Sequence, residues 1–336
     1  MISRSRPHAF ALAVGMAATV LAFAPWAGAA GEDAAPAPET GLAARFPADA
    51  GIARHPAVLF ADNFERWSAD GTAPPPKTWD VRRNRVSLTH TVPGAVEGDG
   101  RRGPGRRVLE IACWTTGKGS QTGGLSRKLG NYNHRNEGLG PGYEELFVRY
   151  YLKFDEAYRS VRNHGANLGG RDLTRPDPWW VGMAGIRDVS TKGYFFSGVQ
   201  PYAERGSRTL EIGFYSYHLD KRNQWGENYE TLREYPIEVG TWHCVERRMK
   251  LNAVDPSRDD PALADGVETL WIDGIPTIRK SDVRFRRTKD LRITFFSLET
   301  YYHGLPERYT RENPIKVYVD HVVIARQYVG PLRLGR

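Results

Sequence analysis

From Trp242 to Leu251 apolar and charged positions alternate, with Val245, Met249 and Leu251 on one side and Glu246, Arg248 and Lys250 on the other. That is the period of two of a strand with one buried face. A loop rich in Asp, Pro and Ala, Asn252 to Gly266, leads to a second strand with Leu270 and Ile272 on its apolar side, which stops at the turn signal Asp273-Gly274. The pair predicts two neighbouring antiparallel strands with one face in a core and one face wet. Phe147 to Phe154 alternates in the same way, with Val148, Tyr150, Leu152 and Phe154 inward and Arg149, Tyr151 and Lys153 outward. Leu210 to His218 places Leu210, Ile212 and Phe214 inward and Glu211, Tyr215 and Tyr217 outward. Val86 to Val92, Val108 to Trp114, Leu291 to Leu298 and the β-branched run Lys316 to Arg326 read as further strands. Helical periods are scarce and Gly/Pro turns frequent, so the pattern predicts a two-sheet sandwich.

The ends of the chain refine this picture. Arg4 and Arg6, the apolar run Ala9 to Ala24 and Ala27-Gly28-Ala29 form the pattern of a secretory signal over residues 1–29. Residues 30–57, rich in Ala and Pro, read as a flexible leader, and residues 58–334 as one β domain. The formal charge is +8, and losing two arginines with the signal lowers it to +6. A positive, exported chain is expected to meet an acidic polysaccharide rather than nucleic acid, away from the membrane once the signal is removed, and as a monomer. Cys113 and Cys244 leave either a disulfide or two buried thiols open.

In a curved sandwich the outward half of each strand lines a groove. Here that half-set is Arg149, Tyr151 and Lys153; Tyr215 and Tyr217; Arg248 and Lys250; and Thr269 with Trp271. It is basic and aromatic, which suits an acidic glycan: rings stack on sugar faces, and cations pair with carboxylate or sulfate. Tyr215 and Tyr217, two residues apart on a strand, project from one face about 6 to 7 Å apart. A free phenol has a pKa near ~10, so a base role needs nearby positive charge or a coupled histidine.

The pattern Trp-His-x-x-Glu, Lys-Leu-Asn and Leu-Trp-Ile-Asp-Gly between Gly240 and Gly274 resembles secreted polysaccharide lyases of the alginate, glucuronan and heparin-lyase-I type. The resemblance implies an all-β, concanavalin-A-like β-jelly-roll sandwich of two antiparallel sheets, with its first and last strands side by side. It also implies β-elimination on a uronic-acid glycan, with a Tyr-x-Tyr pair moving protons. By that likeness Tyr217 and Tyr215 are the acid and base, His164 assists as base, and Gln200, Asn167 and Arg162 hold the uronate carboxylate. From the outward half-set, Arg149 and Lys153 are expected to bind substrate, and Arg248, Lys250 and Trp271 to bind flanking sugars. Two departures stand out. The Gly-rich segment Arg159 to Gly170 lacks the lysine of those lyases, and Ser197-Gly198-Val199 keeps the serine of their Ser-x-Arg without its arginine, for which Arg187 is the substitute.

A non-catalytic carbohydrate-binding protein on the same fold is the second expectation. A glycoside hydrolase is the third, and it would need two carboxylates in partnership, for which Glu211 and Glu246 are the candidates. No cofactor is expected. A structural calcium ion on Asp255, Asp259 and Asp260 is the metal left open.

Overall fold

The alternating segments become strands because every second side chain can enter one shared core. The computed structural model describes residues 41–67, 79–82, 86–89, 107–117, 119, 121–131, 140–159, 161, 163–171, 193–202, 207–222, 224–229 and 235–332. The expected export signal falls outside them. In chain order the strands are β1 (Val58–Asp62), β2 (Val81–Arg82), β3 (Val86–Thr89), β4 (Val108–Cys113), β5 (Gln121–Lys128), β6 (Glu145–Phe154), β7 (Asn163–Arg171) and β8 (Tyr194–Tyr202). They continue with β9 (Thr209–Tyr217), β10 (Glu227–Tyr229), β11 (Ile237–Glu238), β12 (Trp242–Lys250), β13 (Gly266–Ile272), β14 (Ile275–Val283), β15 (Phe295–Tyr302) and β16 (Ile315–Ala325).

Sheet I runs β14-β13-β12-β6-β16-β4-β3, with β1 added against β16. Sheet II runs β10-β9-β8-β7-β15-β5-β2, with β11 added against β9. All the strand pairs in both are antiparallel, and the fold is the expected jelly-roll sandwich. The first and last strands do lie side by side, Phe60 facing Ile324. The β13–β14 turn sits on Asp273 and Gly274, both at positive φ (53° and 81°), as a tight hairpin turn requires.

One core fills the space between the sheets. Tyr150, Leu152 and Phe154 of β6 and Val245 and Met249 of β12 meet Leu210, Ile212 and Phe214 of β9, Phe195 and Val199 of β8, and Phe296 and Leu298 of β15. Among the described residues no helix is long and apolar enough to cross a membrane.

The outer face of sheet I is not wet. Short 3-10 turns at Leu42–Arg45, Pro47–Asp49 and Ile52–Arg54 lie over it with the C-terminal segment, and Leu42 and Ala43 donate backbone N–H groups to Tyr328 and Val329. Leu42, Ala43 and Ile52 bury against Val323, Ala325 and Val329 in a second core. The expected flexible leader is therefore packed structure from residue 41 onward: its alanines and single leucine and isoleucine are small enough to close over a sheet face without periodicity of their own.

Candidate functional site

Tyr215 and Tyr217 project from the outer face of sheet II, as the alternation of β9 predicts. Their hydroxyls are 3.2 Å apart, and the rings meet edge to face at 5.5 Å and 86°. Tyr194, Phe196 and Phe295 pack around them. The loop between β9 and β10 folds back over the pair, and Gly226 donates its N–H to the Tyr215 hydroxyl at 3.0 Å. A Cβ on Gly226 would stand 2.9 Å from both rings, so only glycine lets the backbone approach this closely. The rings are consequently 6 % and 3 % exposed. Burial, reinforced by the contact with Tyr215, holds the Tyr217 phenol well above the usual phenol range. The Tyr217 phenol therefore stays protonated near neutrality. The Lys221 ammonium lies over the Tyr217 ring, 5.5 Å from its centre.

The neighbouring strands bring Gln200 and Asn167 to the same face. Gly198 of β8 stands opposite Tyr215, and Gln200 opposite Gly213. The Gln200 amide donates to Asn228 Oδ1 at 3.2 Å. On β7 a bulge interrupts the register between Gly165 and Leu168, with Ala166 in the left-handed region at φ 48°. The bulge turns Asn167 outward over Gly198, where its Oδ1 occupies the space a Cβ there would need, and its amide donates to Glu299 Oε1 at 3.1 Å. Two phenols, two carboxamides and a carboxylate thus share one strip of sheet II.

Behind that strip, Arg247 of β12 reaches across the interlayer. Its guanidinium donates to the main-chain oxygens of Ala166 at 3.1 Å and Ser197 at 2.7 Å, and to Glu268 Oε1 at 2.9 Å. Arg247 and Glu268 are both fully buried. Burial lowers the guanidinium's proton affinity and raises that of the Glu268 carboxyl, while each partner's charge opposes the shift. The sequence carried a signal for this arrangement, a cation on the apolar parity of β12 between Val245 and Met249. Lys221, Asn228 and Glu299 carried none, because their importance comes only from strands paired far apart in the chain.

Several expected site residues lie elsewhere. Arg149, Lys153, Arg248, Lys250 and Trp271 belong to β6, β12 and β13, all in sheet I, whereas the tyrosines belong to sheet II. The two outer faces point away from each other, so the single basic and aromatic groove does not form. Arg149 is fully buried and pairs with Asp49. Lys153 is buried, and Arg248 donates to Glu145 at 2.6 Å. Trp271 packs between Phe147 and Tyr328, 1 % exposed. Lys250 alone of the five is partly exposed, at the end of β12. Of the remainder, Arg162 and Arg187 lie outside the described residues, as does the side chain of His164, whose backbone pairs with Tyr301. Ser197 faces inward, fully buried.

The carboxylate pair expected for hydrolysis, Glu211 and Glu246, does not come together. Glu211 is on sheet II and Glu246 on sheet I, where Glu246 accepts the N–H groups of Val329 and Gly330 at 2.7 Å each. Cys113 and Cys244 are separate buried thiols. Asp255 accepts from Ser257, and Asp260 pairs with Arg284 and Arg287. Among the described residues no group of three or more His, Cys, Asp or Glu side chains could hold a metal ion.

No protein-family model matches the chain, and no curated protein matches it. Solved structures do. A double mutant of alginate lyase Aly36B in complex with alginate tetrasaccharide aligns at 15 % identity and a TM-score of 0.50, covering 75 % of this chain and 87 % of that one. The endo-β-1,4-glucuronan lyase of the fungus Trichoderma reesei aligns at 14 % identity and 0.47, covering 80 % and 95 %. The PL-14 alginate lyase of Aplysia kurodai aligns at 12 % and 0.48, covering 72 % and 87 %. Identity at this level speaks for a common fold and leaves activity to the site itself. The chain has the jelly-roll fold of alginate lyase Aly36B.

Proposed function

We propose that the protein is an exported polysaccharide lyase that cleaves a uronic-acid-containing glycan by β-elimination at the outer face of sheet II. The observation that carries this reading is the pair of hydrogen-bonded phenols, Tyr215 and Tyr217, beside the carboxamides of Asn167 and Gln200. In the reaction a base removes the C5 proton of the uronate, its electrons form the C4–C5 double bond, and the C4–O bond breaks. The departing glycosidic oxygen takes the proton of the Tyr217 phenol, which burial keeps protonated. Tyr215, hydrogen-bonded to Tyr217, is placed to return a proton to it. His164 on β7 serves as the base, and the amides of Asn167 and Gln200 hydrogen-bond the uronate carboxylate so that it tolerates charge building up at C5.

The test is ultraviolet absorbance on alginate, glucuronan and heparin. Absorbance from the new double bond is expected with at least one of them, and its absence with all three overturns the reading.

The near-complete burial of both rings favours a second reading, a carbohydrate-binding protein without turnover. In that case glycan binds, no double bond forms, and replacing both tyrosines by phenylalanine leaves affinity unchanged.

A further inference from the structure

Glu299 belongs to the outward half of β15. Phe296 and Leu298 of that strand enter the core, whereas Phe295 joins the tyrosine cluster and Ser297 stands opposite Asn167. The register between β15 and β7 shifts between Ser297 and Thr300, so Glu299 falls beside the β7 bulge. Glycine flanks it on both sides: a Cβ on Gly124 of β5 would run into the Glu299 Cβ, and one on Gly165 of β7 into the Glu299 main-chain oxygen. Neither neighbour therefore has a side chain to crowd the carboxylate, which accepts the Asn167 Nδ2 hydrogen at 3.1 Å.

A carboxylate accepts and does not donate, so this contact decides which end of the amide faces it. The Nδ2 end is turned to β15 and the Oδ1 end to β8, over Gly198. Gly198 stands opposite Tyr215, which puts Oδ1 on the tyrosine side of Asn167, about 4.8 Å of strand spacing short of β9. Asn167 is 0 % exposed, and its Oδ1 accepts no hydrogen bond among the described residues. The backbone that carries it is fixed as well, because Arg247 holds the main-chain oxygen of Ala166. A buried acceptor left unmet is costly, and a ligand that brings a hydroxyl to it relieves the cost.

We propose that Glu299 is a positioning residue that makes the site read a free ring hydroxyl: it holds Asn167 Oδ1 toward the tyrosines to accept that hydroxyl and leaves the second Nδ2 hydrogen for the uronate carboxylate. The substrate class is then a uronate whose C2 and C3 hydroxyls are free, since an acylated oxygen has no proton to give. This rests on the reading of the outer face of sheet II as a uronate site.

The experiment measures kcat/KM and calorimetric affinity of the full chain on glucuronan and alginate, each with its hydroxyls free and with them acetylated. The wild type is expected to favour the free glycan by about tenfold or more. Glu299→Gln has the same shape but can turn either end of its amide to Asn167, so the preference is expected to shrink to about threefold or less, with the melting temperature near wild type. Gly198→Ala displaces Oδ1 from the other side and is expected to shrink it in the same way. If the protein binds without turnover, the same ratios are read from Kd. A preference that survives intact in both variants is steric in origin; that result, or a wild type that treats the two forms alike, overturns the role of Glu299 and leaves the lyase reading standing. Absence of binding and turnover in the wild type on every glycan overturns both.

Discussion

The guanidinium of Arg247 donates to the main-chain oxygen of Ser197 at 2.7 Å, joining sheet I to sheet II directly behind the tyrosine pair. The same group holds Ala166, the left-handed residue of the β7 bulge. A buried ion pair of this kind contributes less through Coulomb attraction than through the cost of breaking it.

Arg247→Met is therefore expected to destabilise the protein by about 3 kcal/mol or more, because it strands the Glu268 carboxylate in the core. Arg247→Met with Glu268→Leu should recover much of that loss. Urea unfolding of the two variants checks the difference, and equal midpoints contradict the pairing.

Tyr217→Phe removes a hydroxyl whose described hydrogen bond is to Tyr215. Turnover is expected to fall by a factor on the order of 10² to 10⁴, with the melting temperature close to wild type. Tyr215→Phe also leaves the Gly226 N–H without its acceptor, so it should cost stability as well, about 1 to 2 kcal/mol. Activity assays paired with thermal melts separate the two effects.

Gly198→Ala drives a methyl group into the carbonyl oxygen of Asn167. The amide must swing away from the site, so kcat/KM is expected to fall at least tenfold while the core, which lies on the other face, stays intact. Unchanged kinetics would show that Asn167 does not position substrate.

Burial pushes the Glu246 carboxyl from its ordinary 4.5 up to about 7, against the two backbone N–H donors from the C-terminal segment. The folded state then binds this proton more tightly than the unfolded chain does. The stability it contributes is fully present below about pH 4.5 and is lost as pH rises through about 7. The melting temperature of the wild type should accordingly fall relative to that of Glu246→Gln as pH rises across that window, and a constant difference argues against it.

Trp271→Ala is expected to cost about 3 to 5 kcal/mol and to leave glycan affinity untouched in the folded fraction, because the indole is packed between Phe147 and Tyr328 on the far sheet. Denaturation and titration of the one variant test both halves.

Much of this molecule was legible in the period of its side chains. Val148 to Phe154, Leu210 to Phe214 and Val245 to Met249 declared which half of each strand enters the core, and the Asp273-Gly274 turn declared where a hairpin closes. β5, β7 and β8 were not legible as strands: Gly124, Gly165 and Gly170 sit where neighbouring backbone leaves no room for a Cβ, so they break the hydrophobic pattern while serving the sheet.

By itself, then, the sequence determined the all-β class and the shared outward face of Tyr215 and Tyr217, since alternation is a local property of an extended chain. Tertiary structure alone decided that Arg149, Arg248 and Trp271 face away from those tyrosines, and that residues 41–57 and the C-terminal segment cover them. The physical reason is that period two separates one side of a strand from the other but does not encode which sheet the strand joins or what packs on top of it. Those are settled by pairings between segments a hundred or more residues apart, such as Arg149 with Asp49 and Asn167 with Glu299.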